Sequence, residues 1–340
     1  MLKKIKLEKA GELVSALMEQ GELFAPVAEG EVVTFQRIQD PADVTLDFYN
    51  TLQSPKSVFF PQTDDVASYR ITHDGTEAEV VPLEFEPRII LGVRPCDVQS
   101  FEVMDKLFVG GGVVDPYWEN RRKETTIIGY AFDRVDPADF YTSFGIGAAD
   151  PRGSDIFMVK GEGVFLLQGM TERGEDLLKS INLLEDASAE EKGYFQERLR
   201  EGSTLTTRLL DTEGAAEKLE KVFEDRYWIE AAAPCLNCGV CTFVCPTCHC
   251  FDIQDETLFA EGARRRIWDS CMFTDFTLHT SGHNPRTEKS QRLRQRINHK
   301  FSYYVTNCGV ISCVGCGRCT RSCPVHIDIV AVVKGAMALP

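Results

Sequence analysis

Long apolar runs are missing from this chain of 340 residues. None approaches the roughly 20 residues of a membrane span, so no segment is expected to cross a bilayer. Three familiar catalytic and nucleotide signatures are missing as well: a P-loop, a G-x-G-x-x-G fingerprint and a nucleophile elbow. Gly110 to Gly112 follows a predicted helix instead of joining a strand to one, and reads as a helix end and loop. Positive charge is in short supply. Lys and Arg number 37 against 52 Asp and Glu, a net −15 that excludes nucleic acid as a partner. An export signal is also lacking. Met1 to Lys6 is basic, but Glu8, Glu12 and Glu19 break the apolar stretch that should follow, so the start is expected to be an amphipathic helix and the protein cytoplasmic. Finally, Cys96 stands alone in the first 234 residues.

What is present is a globular composition, with 43% apolar and 26% charged residues, and a length that suggests two domains. Helical apolar spacing runs from about Glu8 to Gln20, with Leu13, Val14, Leu17 and Met18 inward. Strand-like runs follow at Leu23 to Val27, Val32 to Gln36 and Ser57 to Phe60. Arg88 to Val93 and Thr125 to Tyr130 read as buried strands. Asp97 to Phe108 reads as a helix, and Asp155 to Gln168 as a hairpin. Strands alternating with helices predict an α/β domain over residues 1–170. Residues 171–233 turn charged and helical, a connecting segment that includes Ala187 to Glu201 and Gly214 to Asp225. Residues 234–340 form the remaining domain.

Of the 13 cysteines, 12 lie within the 89 residues from Cys235 to Cys323. Such packing in a chain without an export signal means metal, not a disulfide scaffold. Two runs carry it, Cys235-Leu-Asn-Cys238-Gly-Val-Cys241-Thr-Phe-Val-Cys245-Pro246 and Cys313-Val-Gly-Cys316-Gly-Arg-Cys319-Thr-Arg-Ser-Cys323-Pro324. Both are C-x2-C-x2-C-x3-C-P. Three thiolates on such a loop wrap three corners of a [4Fe–4S] cubane, and the fourth cysteine, before proline, turns to the other cluster. One cluster is therefore expected on Cys235, Cys238, Cys241 and Cys323, and the other on Cys313, Cys316, Cys319 and Cys245. Zinc is the rival, but it needs paired C-x2-C units and no third cysteine followed by C-P.

Between the motifs lie 67 residues, too many for a compact hairpin ferredoxin. Arg-rich, helix-compatible stretches around Arg264 to Trp268 and Ser290 to Phe301 predict a mostly helical ferredoxin-like domain. From Glu261 to Lys300 there are nine Lys or Arg against four acids, a local +5, which leaves about −20 for the rest. Such an insert either docks an acidic partner or pairs with the chain's own acids. Its arginines would also ease cluster reduction, since nearby positive charge favours the added electron.

Several stretches together resemble one family. They are Cys245-Pro-Thr-Cys-His-Cys-Phe-Asp, Arg266-Ile-Trp-Asp-Ser-Cys-Met-Phe, Asn298-His-Lys-Phe, the second motif, and Gly92-Val-Arg-Pro-Cys-Asp-Val in the N-terminal domain. The family is that of sulfhydrogenase β subunits and the A subunit of anaerobic sulfite reductase. The resemblance covers nearly the whole chain and implies a two-cluster subunit of a hetero-oligomer. Such a subunit relays electrons between a flavin-bearing, NAD(P)H-reactive subunit, where FAD is expected, and a terminal redox enzyme. One departure stands out: relatives carry a cysteine-rich segment after the third α/β strand, whereas Ala131 to Tyr141 here has no cysteine.

Five cysteines remain. Cys96 and Asp97 sit where a buried strand ends and a helix begins, a position where α/β folds place ligands, although a buried free cysteine is also common core. Cys248, Cys250 and Cys271, with His249, either pack beside the clusters or add a metal site, and two complete motifs favour packing. Cys308, His279, His283, His299 and His326 receive no role. The expected function is thus that of a non-catalytic electron-transfer subunit of an oxidoreductase. The alternative is a self-contained flavin- and cluster-dependent enzyme with its active site in the α/β domain, which a flavin spectrum of the isolated chain would reveal.

Overall fold

The computed structural model describes residues 1–202 and 208–340; residues 203–207 of the expected connecting segment lie outside the described residues. The first part of the chain runs β1 (Leu2–Lys6), α1 (Ala10–Met18), β2 (Glu22–Glu29), β3 (Val32–Arg37), β4 (Thr63–Thr72), β5 (Gly75–Val80), β6 (Arg88–Val93), α2 (Pro95–Phe108), α3 (Pro116–Lys123) and β7 (Thr125–Tyr130). Then come β8 (Ile156–Lys160), β9 (Val164–Gly169), α4 (Glu172–Ser180), β10 (Glu185–Asp186), α5 (Ala189–Glu201), α6 (Ala215–Lys221) and α7 (Tyr227–Ala232). After the first cysteines follow α8 (Val240–Phe243), β11 (Phe251–Leu258), β12 (Glu261–Trp268), α9 (Lys289–Asn298), α10 (Tyr304–Cys308), α11 (Arg318–Arg321) and α12 (Ile329–Met337).

Among the described residues, eight strands form a mixed sheet in the order β10-β1-β9-β8-β7-β6-β2-β3. Strands β2, β6, β7 and β8 are parallel, and the outer ones pair antiparallel. The central strands read as unbroken apolar runs because both faces are covered. Ile89, Ile90, Leu91 and Val93 of β6 are all buried, one face against α1 through Leu13 and Leu17, the other against α2 through Phe101 and Met104. Each such side chain withdrawn from water contributes about 1.5–3 kcal/mol. Pro95 starts α2 directly after β6, where its fixed φ and missing N–H cost nothing.

Three local expectations are corrected. The basic start is not helical: Leu2–Lys6 adds β1 to the sheet beside β9, and the helix begins only at Ala10. Ser57 to Phe60 is not a strand, because Pro55 opens a 3-10 turn at Pro55–Val58 that buries Phe59 and Phe60. The third correction is the largest. The segment around Arg264 to Trp268 is β12, so the C-terminal part is mixed and not mostly helical.

β12 belongs to a second, four-stranded sheet ordered β11-β12-β4-β5. Its strands come from two places far apart in the chain, and β12 pairs with β4 across about 190–200 residues, Glu261 opposite Arg70 and Arg266 opposite Asp64. The arginines that suggested a helix face cross-strand acids instead. Arg264 pairs with Asp255, Arg265 with Asp65 and Glu256, and Arg266 with Asp64 and Asp115. Opposite charges across a ladder stabilise a sheet, and local periodicity carries no sign of a partner so distant. No helix is long and apolar enough to cross a membrane among the described residues.

Candidate iron–sulfur site

The two cysteine motifs adopt the same backbone path. In each, the residues before and after the second cysteine take positive φ: Asn237 (56°) and Gly239 (74°) in the first, Gly315 (64°) and Gly317 (68°) in the second. Each motif then closes with a one-turn helix, α8 or α11, that carries the third cysteine. Glycine at 315 is required twice over. Its φ is left-handed, and a Cβ there would stand 2.5 Å from the Phe140 carbonyl carbon and the Tyr141 nitrogen.

That close approach locates the second motif. It lies at the carboxyl ends of β6 and β7, where parallel sheets present ligands. Phe140 N–H donates to the Gly315 carbonyl at 2.9 Å. Arg321 reaches Asp136 and Asp139. Arg318 is fully buried and donates to both carboxylate oxygens of Asp97, 2.7 Å from Oδ2, as well as to the Thr51 carbonyl at 2.8 Å. Of the two readings weighed for Cys96 and Asp97, a ligand site or core packing, the second describes them, since the chain's own second motif fills that place. Cys96 packs against Val314 and Cys316, and burial pushes its thiol well up, so it is poorly suited to reaction as a thiolate.

Two thiol-lined voids sit side by side. Around the outer one stand Cys235, Cys238, Cys241, Cys319 and Cys323, with Met272, Leu293 and Ile297. Around the inner one stand Cys245, Cys313, Cys316 and Cys319, with Pro246, Phe140 and Lys300. Arg296, Cys319 and Ile329 line both, so only side chains separate the two. Cys238 is exposed, whereas Cys245 and Cys316 are buried. Among the described residues no three His, Cys, Asp or Glu side chains converge as on a single metal ion. The thiols line the two neighbouring voids instead.

The electrostatics test the fit. Lys56, Arg296 and Lys300 are buried, yet none has a carboxylate partner among the described residues. Lys300 Nζ donates to Cys245 Sγ at 3.3 Å, to Thr247 Oγ1 at 3.0 Å and to the Ser312 carbonyl at 2.9 Å. Lys56 Nζ donates to the Cys245 and Cys248 carbonyls at 3.0 and 2.8 Å and lies 4.1 Å from the centre of the Trp268 ring. Arg296 donates to the Cys241 carbonyl at 3.1 Å. Buried cations without counterions are costly, and a thiolate-ligated [4Fe–4S] group supplies negative charge in both of its redox states. The donor set and the charge balance both suit it.

Thiol acidity follows the same charges. A hydrogen bond from Cys248 and the Lys300 ammonium hold the Cys245 thiol well below its usual range. Burial pushes Cys313 up to about 12 and Cys241 and Cys316 to about 11. Burial also opposes the charge on Lys300, but the Cys245 thiolate holds it above its ordinary range. Burial pulls Lys56 down to about 8.

The other residues weighed from the sequence fall beside this centre. Cys250 and Cys271 hydrogen bond one another, which lowers Cys250 to about 7. His249 is wedged against Phe108, His299 and Tyr304. Lys56, Arg296 and Lys300 were not read as site residues. The sequence does hold a signal for two of them: Arg296 and Lys300 are four apart in a helix whose apolar neighbours Leu293, Ile297 and Phe301 are buried, an odd place for solvent-facing charge. The insert's cations mostly turn inward or pair with the chain's own acids; Arg294, for example, bonds Glu224 and the Phe223 carbonyl. Arg264, Arg265 and Arg266 are among those paired with the chain's own acids.

The 4Fe-4S dicluster domain family matches residues 234–327. The chain is similar to the β subunit of sulfhydrogenase 2 from Pyrococcus furiosus, with 31% identity over 333 residues, 97% of this chain and 96% of the relative. No solved structure matches it.

Proposed function

Since the chain belongs to the sulfhydrogenase β-subunit family, we propose that it is the electron-relay subunit of a multi-subunit oxidoreductase. In this reading it carries electrons between a flavin-bearing, NAD(P)H-reactive subunit and a terminal redox subunit. Cys235, Cys238, Cys241 and Cys323 hold an outer [4Fe–4S] cluster, and Cys313, Cys316, Cys319 and Cys245 an inner one. Each cluster, when bound, supplies one-electron chemistry. The chain's own part is to hold the thiolates, keep water from the inner pair and balance charge with Lys56, Arg296 and Lys300.

One observation carries the reading: two voids share Arg296 and Cys319, and the fourth cysteine of each motif lines the void formed by the other. Replacing Cys323 with Ser should then disturb the cluster of the first motif and spare the one nearer in sequence. Iron analysis and EPR of the reduced protein decide it, and a disturbance confined to the second motif's cluster overturns the assignment. The relay role is tested by assaying the isolated, cluster-loaded chain. It should not oxidise NAD(P)H until a flavin-bearing partner is added, and oxidation without a partner replaces the relay with the self-contained enzyme.

A further inference from the structure

The cations of the site are unevenly shared between the two voids. Arg296 lines both and cannot distinguish them. Lys300 lines only the inner one, with its ammonium on the Cys245 sulfur at 3.3 Å. Lys56 adds a second ammonium on the Cys245 and Cys248 carbonyls. The remaining cations of the inner side, Arg318 and Arg321, are cancelled by Asp97 and by Asp136 and Asp139. On the outer side Lys289, which is half-buried, bonds the Ala233 carbonyl and, at 3.5 Å, the Cys235 carbonyl, but reaches no cysteine sulfur.

We propose that Lys300, supported by Lys56, is a positioning residue that polarises the relay, making the inner cluster the more easily reduced of the two and the resting place of the first electron. Reduction adds a negative charge, and an ammonium bonded to a cluster ligand stabilises that charge more than the oxidised state. Burial works the other way, since the outer void has Cys238 in contact with water. Lys300, however, is an unneutralised ammonium in the low-dielectric wall of the inner void, and Lys56 is buried on the Cys245 and Cys248 carbonyls, so their charge acts with little screening. The inference rests on the ligand assignment proposed above.

The test is an EPR-monitored redox titration of the full, cluster-loaded chain. A Cys238→Ser variant marks the outer cluster's signal by disturbing it. In the unaltered protein the other signal should have the higher potential. Lys300→Met removes the charge at similar length, and should move that inner signal at least tenfold toward the oxidised form, 59 mV for one electron, with a smaller change at the outer signal. Lys300→Arg should restore most of it, which a packing role would not. An inner cluster of lower potential than the outer, or a Lys300→Met protein with full iron and unmoved potentials, overturns the proposal. Should Lys300→Met lose iron, Lys56→Met is held to the same shift. A failed ligand assignment looks different: Cys238→Ser would then disturb both signals or the wrong one.

Discussion

Replacing Asp97 with Asn would leave Arg318 buried and charged beneath the second cysteine motif. The pair is closed to water, with side-chain exposures of 1% and 0%. At the 2.7 Å of its Oδ2 contact, two unit charges attract by about 6 kcal/mol at an effective dielectric of 20. Part of that attraction only offsets the desolvation of both groups, and the Thr51 carbonyl remains as a neutral acceptor. Breaking one side of such a pair costs about 3–5 kcal/mol. At an unfolding slope of about 3 kcal/mol/M that lowers the urea midpoint by about 1–1.7 M. The assay is anaerobic urea unfolding followed by visible cluster absorbance and tryptophan fluorescence together. A companion Asp97→Leu, Arg318→Met double variant should lose much less than the two single changes combined, since no charge is then stranded. A cost below about 1 kcal/mol for Asp97→Asn, or full additivity in the double variant, would refute the view that this pair fastens the cluster loop to the sheet.

Gly315→Ala should destabilise the protein well beyond the roughly 1–2 kcal/mol of a left-handed alanine, because its Cβ meets backbone at 2.5 Å. Gly309→Ala, at φ 74° with nothing within 4 Å, should cost only the conformational part, and equal urea midpoints would contradict this. Acid should weaken the fold through His249 and His299, which burial pulls down to about 3 and about 4. An unfolded histidine gains its proton near pH 6.5, so the stability of keeping each ring neutral is present above about 6.5 and declines by about 1.4 kcal/mol per unit as pH falls toward the folded value. His249→Phe should flatten the fall of the urea midpoint between about pH 6.5 and 5, and an unchanged slope would remove His249 from the account.

Much of the N-terminal sheet was legible because its signals are local. The run Arg88-Ile-Ile-Leu-Gly-Val can bury both faces only as a central strand, and the apolar spacing from Asp97 to Phe108 marks the helix that follows it. The cysteine loops were legible for the same reason: spacing, glycine and proline lie within each twelve-residue motif. The largest misreading and the chief omission share a cause. Arg264, Arg265 and Arg266 suit a helix or a strand equally until β4 supplies the acids that select the strand. Lys56 carries no local sign of its position, because its burial against the Cys245 and Cys248 carbonyls depends on residues 189 and 192 positions away. Charge in a sequence reads as surface, and only the folded chain reveals which cations have been enclosed with their anions.

The order in which the thiols are made adds a constraint of its own. In the proposed ligand set each cluster draws from both motifs, so neither can be completed until the second motif has been synthesised. The 67 residues between Cys245 and Cys313 take roughly 3–13 s at about 5–20 residues per second. In that interval β12 emerges and finds β4 already made, so the second sheet can close before either cluster does. The first motif meanwhile holds four thiols with no complete cluster to bind, open to stray metal or oxygen. A cell that makes this chain must deliver iron and sulfide late, and must keep those early thiols reduced while they wait.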